Sequence, residues 1–298
     1  MHPVRRYTLL LTVVGLLFAL PSRARAQESP FFVTNDHHLE EPGNLEVALS
    51  QTFAPGRVGR PGYVAPYVAP YLELEYGLRA WWTTELYLEG QSTRHDSTVF
   101  TGWRWENRWR PLSQEHSINP VLYLEFEDIN EASRIQKEFI GHLGDGGLRN
   151  AALRRQRDRE LEGKLILSST RGNWEFAENL ILEKNLSAAE GVELGYSLGV
   201  ARPLGGLAGA NACGFCRENL TVGVELSGGL GSTHDFGLRD TPQYLSPVLA
   251  WRLGDEASLR LAPGFGLRRG SAPFLLRLGY SYEWRGFGPT VRRWWHER

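Results

Sequence analysis

Alternation of apolar and polar residues between Tyr71 and Glu89 constrains this chain more than any other feature. The apolar parity contains Leu72, Leu74, Tyr76, Leu78, Trp82, Thr84, Leu86 and Leu88. A period of two is that of a β-strand with two unlike faces, and the short break at Arg79–Trp81 makes the two runs a hairpin. Similar hairpins recur to the end of the chain, with hardly any segment suited to cover their apolar faces. The pattern therefore indicates that these faces meet lipid.

Composition agrees with a single β-domain in a membrane. The 298 residues are enough for one large all-β domain, and the net charge of −1 gives no overall bias toward nucleic acid. A hydrophobic content of 42% excludes a bundle of membrane-spanning helices, but it suits strands that are apolar on one face only. The 10 Trp, 11 Tyr and 13 Phe residues suit the aromatic girdles of a membrane barrel.

The N-terminus has the pattern of an export signal. Arg5 and Arg6 precede the apolar run Leu9–Leu20, and Ala24–Ala26 forms a small-residue cleavage site. The apolar run is short for a spanning helix. We therefore expect export through Sec, cleavage of residues 1–26 after Ala26, and a periplasmic leader over residues 27–44.

The alternation predicts an antiparallel up-and-down β-barrel of about 12 strands over residues 45–285, an even number as bacterial barrels require. Residues 128–160 interrupt the period and predict a long outer loop with two short helices around Gly144–Gly147. Most short connectors fall on the inner side, whereas 111–119 and 203–219 are long for inner turns. Asn107 and Glu178 fall on the lipid face, and we expect either a bulge near Glu178 or an error in the register assigned there.

At this point the chain resembles the bacterial outer-membrane β-barrel class, a porin-like class. The signal peptide, the two-residue period through Leu45–Trp284 and the aromatic strand ends carry the resemblance. It implies residence in the outer membrane of a Gram-negative cell, contact with lipid and lipopolysaccharide, and insertion by the barrel assembly machinery. Such barrels commonly end on an aromatic residue of the last strand, whereas here a tail over 286–298 follows Trp284. Either the assembly signal is internal, or the tail is a further partial strand. A secreted β-sandwich or lipocalin-like barrel is the soluble alternative.

In the barrel interpretation, charged residues line the lumen in two groups. The first is an acidic wall with arginines, comprising Glu73, Glu75, Glu85, Glu89, Arg104, Arg108, Glu125 and Glu127. The second is a basic wall on the last three strands, comprising Arg252, Arg260, Arg268 and Arg277 with Glu283. Opposed charges orient polar solutes in porin constrictions, so we expect a channel or transporter for small polar or aromatic solutes. The alternative is a non-conducting structural or assembly barrel filled by internal salt bridges, and barrel size does not decide between them.

Other motifs carry weaker signals. Cys213 and Cys216 predict a local disulfide in an oxidising compartment, because the following Arg217 excludes a c-type haem motif. The basic stretch Arg154–Arg157 is a possible lipopolysaccharide contact, or simply a solvated helix face.

A lipid hydrolase at the barrel rim is a third functional hypothesis. His95 beside Ser92 and Ser97, or His234 near Ser232, could serve it, although they form no recognisable motif. The pair His37-His38 with Glu40-Glu41 has nonspecific spacing for a metal. The sequence therefore predicts no catalytic residue, metal or cofactor.

Overall fold

The computed structural model describes residues 29–56, 65–134, 148–205, 219–238, 241–254 and 256–296. In these residues, 12 strands form a closed antiparallel barrel, and the first strand pairs with the last. The strands are β1 Leu45–Ala54, β2 Tyr67–Arg79, β3 Trp82–Thr93, β4 Thr98–Trp109, β5 Asn119–Asn130, β6 Arg157–Arg171, β7 Trp174–Asn185, β8 Glu193–Pro203, β9 Leu220–Ser232, β10 Gln243–Arg252, β11 Ala257–Gly266 and β12 Phe274–Trp284. The predicted fold class and strand number are confirmed.

The alternation sorts side chains between the two faces of the barrel. Along β5, Leu122 and Leu124 are exposed outward, whereas Tyr123 and Glu125 are buried inward. Among the described residues, no helix is both long and apolar enough to cross a membrane. The architecture is that of a transmembrane β-barrel, with large apolar side chains outside and charged side chains inside.

The two rims differ in their connections. The terminal rim, where β1 begins and β12 ends, has tight turns after β2 and β6. Tryptophan side chains cluster on it: Trp82 stacks with both Trp81 and Trp109, with ring centroids 6.1 Å and 6.5 Å apart. The opposite rim carries the long connection between β5 and β6.

Strand boundaries near that long connection differ from expectation. Because β5 continues to Asn130 and β6 begins at Arg157, the connection is shorter than the predicted 128–160. Its described part contains a one-turn helix, α1 Asn150–Leu153, and Gly144–Gly147 lie outside the described residues. After β12 the chain forms a second helix, α2 Phe287–His296, in place of a further partial strand.

The register near Glu178 is continuous, so the predicted bulge there is wrong. Glu178 pairs with Leu167 on β6 and with Leu198 on β8 without a shift, and its side chain is exposed on the outer face. Asn107 also keeps the outward parity, but its side-chain oxygen accepts a hydrogen bond of 3.1 Å from the Trp82 indole. The hydrogen bond from Trp82 therefore satisfies the polar side chain of Asn107 on the outer face of the barrel.

Candidate functional site

The segment ahead of β1 lies inside the barrel. We call residues 29–42 the plug. Phe31, Phe32, Val33 and Asp36 are each at most 6% exposed, although the segment has no helix or strand of its own. Because an irregular backbone cannot satisfy its own polar groups, its burial requires partners on the lumen wall.

Glu225 on β9 supplies the largest set of these partners. Its Oε1 accepts backbone N–H hydrogen bonds from Phe32, Val33 and Thr34 at 3.1, 2.9 and 2.9 Å. Successive N–H groups that converge on one anion form a strong electrostatic contact, particularly where water is largely excluded. Glu225 is 1% exposed, so this contact lies deep in the lumen.

A second anchor joins Asn35 of the plug to Asn179 on β7. The Asn35 N–H donates to Oδ1 of Asn179 at 2.8 Å, and Nδ2 of Asn179 donates to the Asn35 carbonyl at 2.8 Å. Lys164 on β6 reaches Oδ1 of Asn35 at 3.4 Å. The amide of Asn179 therefore pairs with the plug much as a neighbouring strand would.

Aromatic side chains of the plug fit against glycines in the wall. A Cβ at Gly199 on β8 would lie 2.7 Å from the Phe31 ring, and one at Gly279 on β12 would lie 3.2 Å from the Phe32 ring. Arg260 on β11 donates to the Phe31 carbonyl at 3.0 Å and lies over the Phe32 ring. Through these residues the plug contacts β8, β11 and β12 of the wall.

The plug enters the lumen over the terminal rim. Gly43 donates to the Gly77 carbonyl at 2.8 Å, and a Cβ at Gly77 would lie 2.1 Å from the Glu41 carbonyl oxygen. Deeper in, Arg108 donates to the His38 carbonyl, and the ring of His37 contacts Ser168 on β6. These contacts show that the plug spans the cross-section of the lumen. The other wall residues that contact it are Glu225, Asn179, Gly199, Gly279 and Arg260.

The acidic wall predicted from the sequence is a network of buried ion pairs. Arg104 pairs with Glu89 and with Glu125, at 3.3 Å for the second pair. Arg108 pairs with Glu75 at 2.7 Å, with Glu85, and with Glu106 at 3.1 Å. Tyr87 donates hydrogen bonds to Glu85 and Glu106. Glu106, which is completely buried, belongs to this wall although it is not among the residues predicted for it.

The remaining predicted lumen residues are more scattered. Glu73 and Glu127 are buried, and Arg277 on β12 is 3% exposed. Arg252 and Glu283 are half-buried near the terminal rim, where Glu283 accepts a 2.6 Å hydrogen bond from Asn44. Arg268 lies beyond the end of β11 and is exposed, so it is not part of the basic wall.

Glu225 and Asn179 were not predicted as site residues, because their hydrogen-bond partners belong to the plug, whose sequence has no period.

A cavity of about 130 Å³ remains between the plug and the acidic wall. Its lining combines Phe31, Phe32 and Asp36 of the plug with Tyr71 and Tyr87 of the wall. It also includes Glu46, Glu73, Glu75, Glu85, Arg108 and Arg260. The cavity is therefore lined by charged and aromatic side chains of both the plug and the barrel.

Charged groups of the plug also interact with one another. The carboxylate of Asp36 raises the pKa of His38, whose Nδ1 lies 3.1 Å from Oδ1 of Asp36. Burial alone would raise the pKa of Asp36, but the charge and hydrogen bonds of His38 hold it well below its usual range. Burial lowers the pKa of His37. The arrangement favours an Asp36–His38 ion pair in the docked plug.

The serines suggested for a rim hydrolase form local hydrogen bonds that shape loops. Oγ of Ser232 accepts hydrogen bonds from the backbone N–H groups of His234 and Asp235, which shapes a turn. Oγ of Ser92 bonds to Thr98, and Oγ of Ser97 donates to Asp96. Arg154 is the C-cap residue that follows α1, and Arg157 is the first residue of β6. Cys213, Cys216 and the export signal over residues 1–26 lie outside the described residues.

Comparisons with known proteins do not assign this chain to a family. No family model and no curated protein matches the chain. The COG4313 outer membrane channel from Pseudomonas putida F1 is 13% identical with a TM-score of 0.47, over 83% of this chain and 97% of that one.

Two further solved structures are similar at the same level. The KdgM porin is 9% identical with a TM-score of 0.46, over 80% of this chain and 98% of that one. The CymD monoaromatic hydrocarbon channel is 9% identical with a TM-score of 0.40, over 82% and 88%. At such low similarity, the function of this chain has to be inferred from its own lumen.

Proposed function

We propose that this chain is an outer-membrane channel for small polar solutes, closed by its own N-terminal plug and opened when the plug leaves the lumen. The observation that carries the proposal is the burial of residues 29–42 against inward-facing side chains around the barrel. Aromatic rings of a solute would find partners in Tyr71 and Tyr87.

The outer surface supports a membrane location. Leu49, Phe100, Leu122 and Leu180 are each more than half exposed on strands, and such a continuous apolar surface is stable in lipid rather than in water. The tryptophans of the terminal rim suit the boundary between lipid and water. With export and cleavage near Ala26, the terminal rim faces the periplasm, and the new N-terminus lies just ahead of the plug.

Barrel width supports a removable plug. Eight-stranded barrels are filled by side chains, whereas barrels of 16 to 18 strands leave aqueous channels. In this 12-stranded barrel, inward side chains share the lumen with the plug. Withdrawal of the plug would leave a water-filled path lined by Glu225, Asn179, Lys164 and Arg260.

The contacts of the plug are of a reversible kind. Hydrogen bonds from backbone N–H groups and asparagine amides can all be replaced by water, so the docked state is favoured by a limited free energy. The glycines opposite Phe31 and Phe32 show that the docked position depends on close fit. A closed state with exchangeable contacts is what a gate requires.

The test is to displace the plug by steric means and measure current in planar bilayers. We expect Gly199→Val to raise the conductance above that of the unmodified chain, because even a Cβ at this position would overlap the Phe31 ring. Adding Phe31→Ala should restore low conductance, because it removes the overlap. Gly163→Val is the control, since Gly163 faces outward and the nearest atom to its added Cβ is 3.9 Å away.

The alternative, a non-conducting barrel, predicts a different result. A bilayer that stays sealed with inserted Gly199→Val, even though plug residues have become accessible to solvent, would contradict the channel proposal. High conductance of the unmodified chain would contradict closure by the plug.

A further inference from the structure

Near the terminal rim, two plug residues and one wall residue bring metal-ligating atoms together. One ligand atom from each of Asp36, His38 and Glu175 lies within 4.8 Å of the other two. Glu175 is the second residue of β7, and its Oε1 is 4.0 Å from Nδ1 of His38. This group joins the plug to the barrel and has no part in the Arg104 and Arg108 network.

The carboxylates have acceptor capacity that the protein leaves unused. Asp36 is 1% exposed, and its side chain shares a hydrogen bond with that of Glu175, which requires one proton between the two carboxyl groups. Apart from that shared proton, no hydrogen-bond donor within the described part of the chain reaches Oδ2 of Asp36 or Oε1 of Glu175. A buried carboxylate oxygen without a donor is costly, and a bound cation would remove that cost.

From this geometry we propose that Asp36, His38 and Glu175 bind a divalent transition-metal cation that holds the plug against the barrel wall. One imidazole nitrogen and two carboxylates suit zinc, manganese or nickel, whereas calcium and magnesium prefer oxygen ligands throughout. With ligand bonds of about 2.0–2.2 Å, tetrahedral ligands are roughly 3.3–3.6 Å apart. The separations of 3.1 Å and 4.0 Å from His38 Nδ1 lie on either side of that value.

Binding of the cation replaces protons at the three ligands and forms no covalent bond within the protein. The cation takes the place of two protons, the one that links Nδ1 of His38 to Oδ1 of Asp36 and the one shared by Asp36 and Glu175, and both are released to water. Three protein ligands leave a fourth position for a water molecule. Because two ligands belong to the plug and one to β7, the free energy of binding favours the docked plug.

Direct binding is measured first, with untagged full-length protein and zinc in a calorimeter. We expect one zinc ion per chain, with affinity at least about a hundredfold weaker in Glu175→Gln and in His38→Asn. Glu175→Gln leaves the plug sequence intact, and His234→Asn is the control because that histidine lies in a loop at the opposite rim. Affinity unchanged by Glu175→Gln or by His38→Asn, or no binding at all, would overturn the site.

The effect on the gate rests on the proposed channel function and is measured separately. In a Glu225→Ala background with a weakened plug, zinc at about a hundred times its Kd should lower the ratio of open to closed channels about a hundredfold. Adding Glu175→Gln should abolish that effect. Zinc that binds in the calorimeter but leaves this current unchanged would overturn the holding role. Absence of current from every variant would instead contradict the channel, and calorimetry would still test the site.

Discussion

The Glu225→Ala variant is expected to conduct through a larger fraction of its channels than the unmodified chain, by about tenfold or more. Three backbone N–H groups of the plug converge on Oε1 of Glu225, and alanine leaves all three without that acceptor. A hydrogen bond to a charged group contributes about 1.5–3 kcal/mol, and each 1.4 kcal/mol changes an equilibrium constant about tenfold. Single-channel recording in planar bilayers measures the open fraction.

Glu225→Gln separates the contribution of the negative charge from that of the oxygen acceptor. The amide keeps one oxygen acceptor but loses the negative charge, so we expect an open fraction between those of the unmodified chain and Glu225→Ala. Glu178→Gln is the matched control, since it removes the charge of a glutamate on the outer face of a nearby strand. An open fraction in Glu225→Ala equal to that in Glu178→Gln would show that Glu225 does not hold the plug.

A second large effect is expected on stability. Arg108→Met should lower the free energy of unfolding by about 3–5 kcal/mol, the usual cost of leaving buried charges without their partner. Arg108 pairs with Glu75, Glu85 and Glu106, and the side chain of Glu106 is completely buried. Denaturant titration of the barrel in lipid vesicles or detergent measures the change.

Two further variants separate this charge effect from lost packing. Adding Glu85→Gln to Arg108→Met removes one of the carboxylates left without a partner and should recover part of the stability. Arg79→Met is the control, because Arg79 is exposed at the terminal rim. A loss below about 1 kcal/mol in Arg108→Met, as for an exposed ion pair, would contradict the buried network.

The period of two was sufficient to predict the barrel and its number of strands, because inward and outward faces meet different solvents throughout. It could not fix strand ends near Asn130 and Arg157, where side chains beyond the membrane need not alternate. The same limit explains Glu178, whose charge breaks the outward pattern while backbone pairing continues unchanged. Alternation reports the average environment of a face, not the position of each residue in the bilayer.

The two-residue period could not predict the plug. Residues 29–42 have no period, and their partners, such as Glu225 and Asn179, lie far away in the sequence. The apolar Phe31-Phe32-Val33 run and the inward glycines Gly199 and Gly279 were the available signals. Neither signal indicates on its own that an aromatic ring of the plug fills the space left by a glycine in the wall. The inward charges were placed by parity, whereas their pairing required the three-dimensional register.

The most direct test of an N-terminal plug is the reaction rate of a thiol placed within it. Val33, which is 2% exposed, is replaced by cysteine in a chain that also carries Cys213→Ser and Cys216→Ser. With a bulky polar thiol reagent, Val33→Cys should react far more slowly than Ala189→Cys in an exposed loop, and adding Glu225→Ala should accelerate its reaction. Equal rates for Val33→Cys and Ala189→Cys in the otherwise unmodified protein would contradict closure of the lumen by residues 29–42.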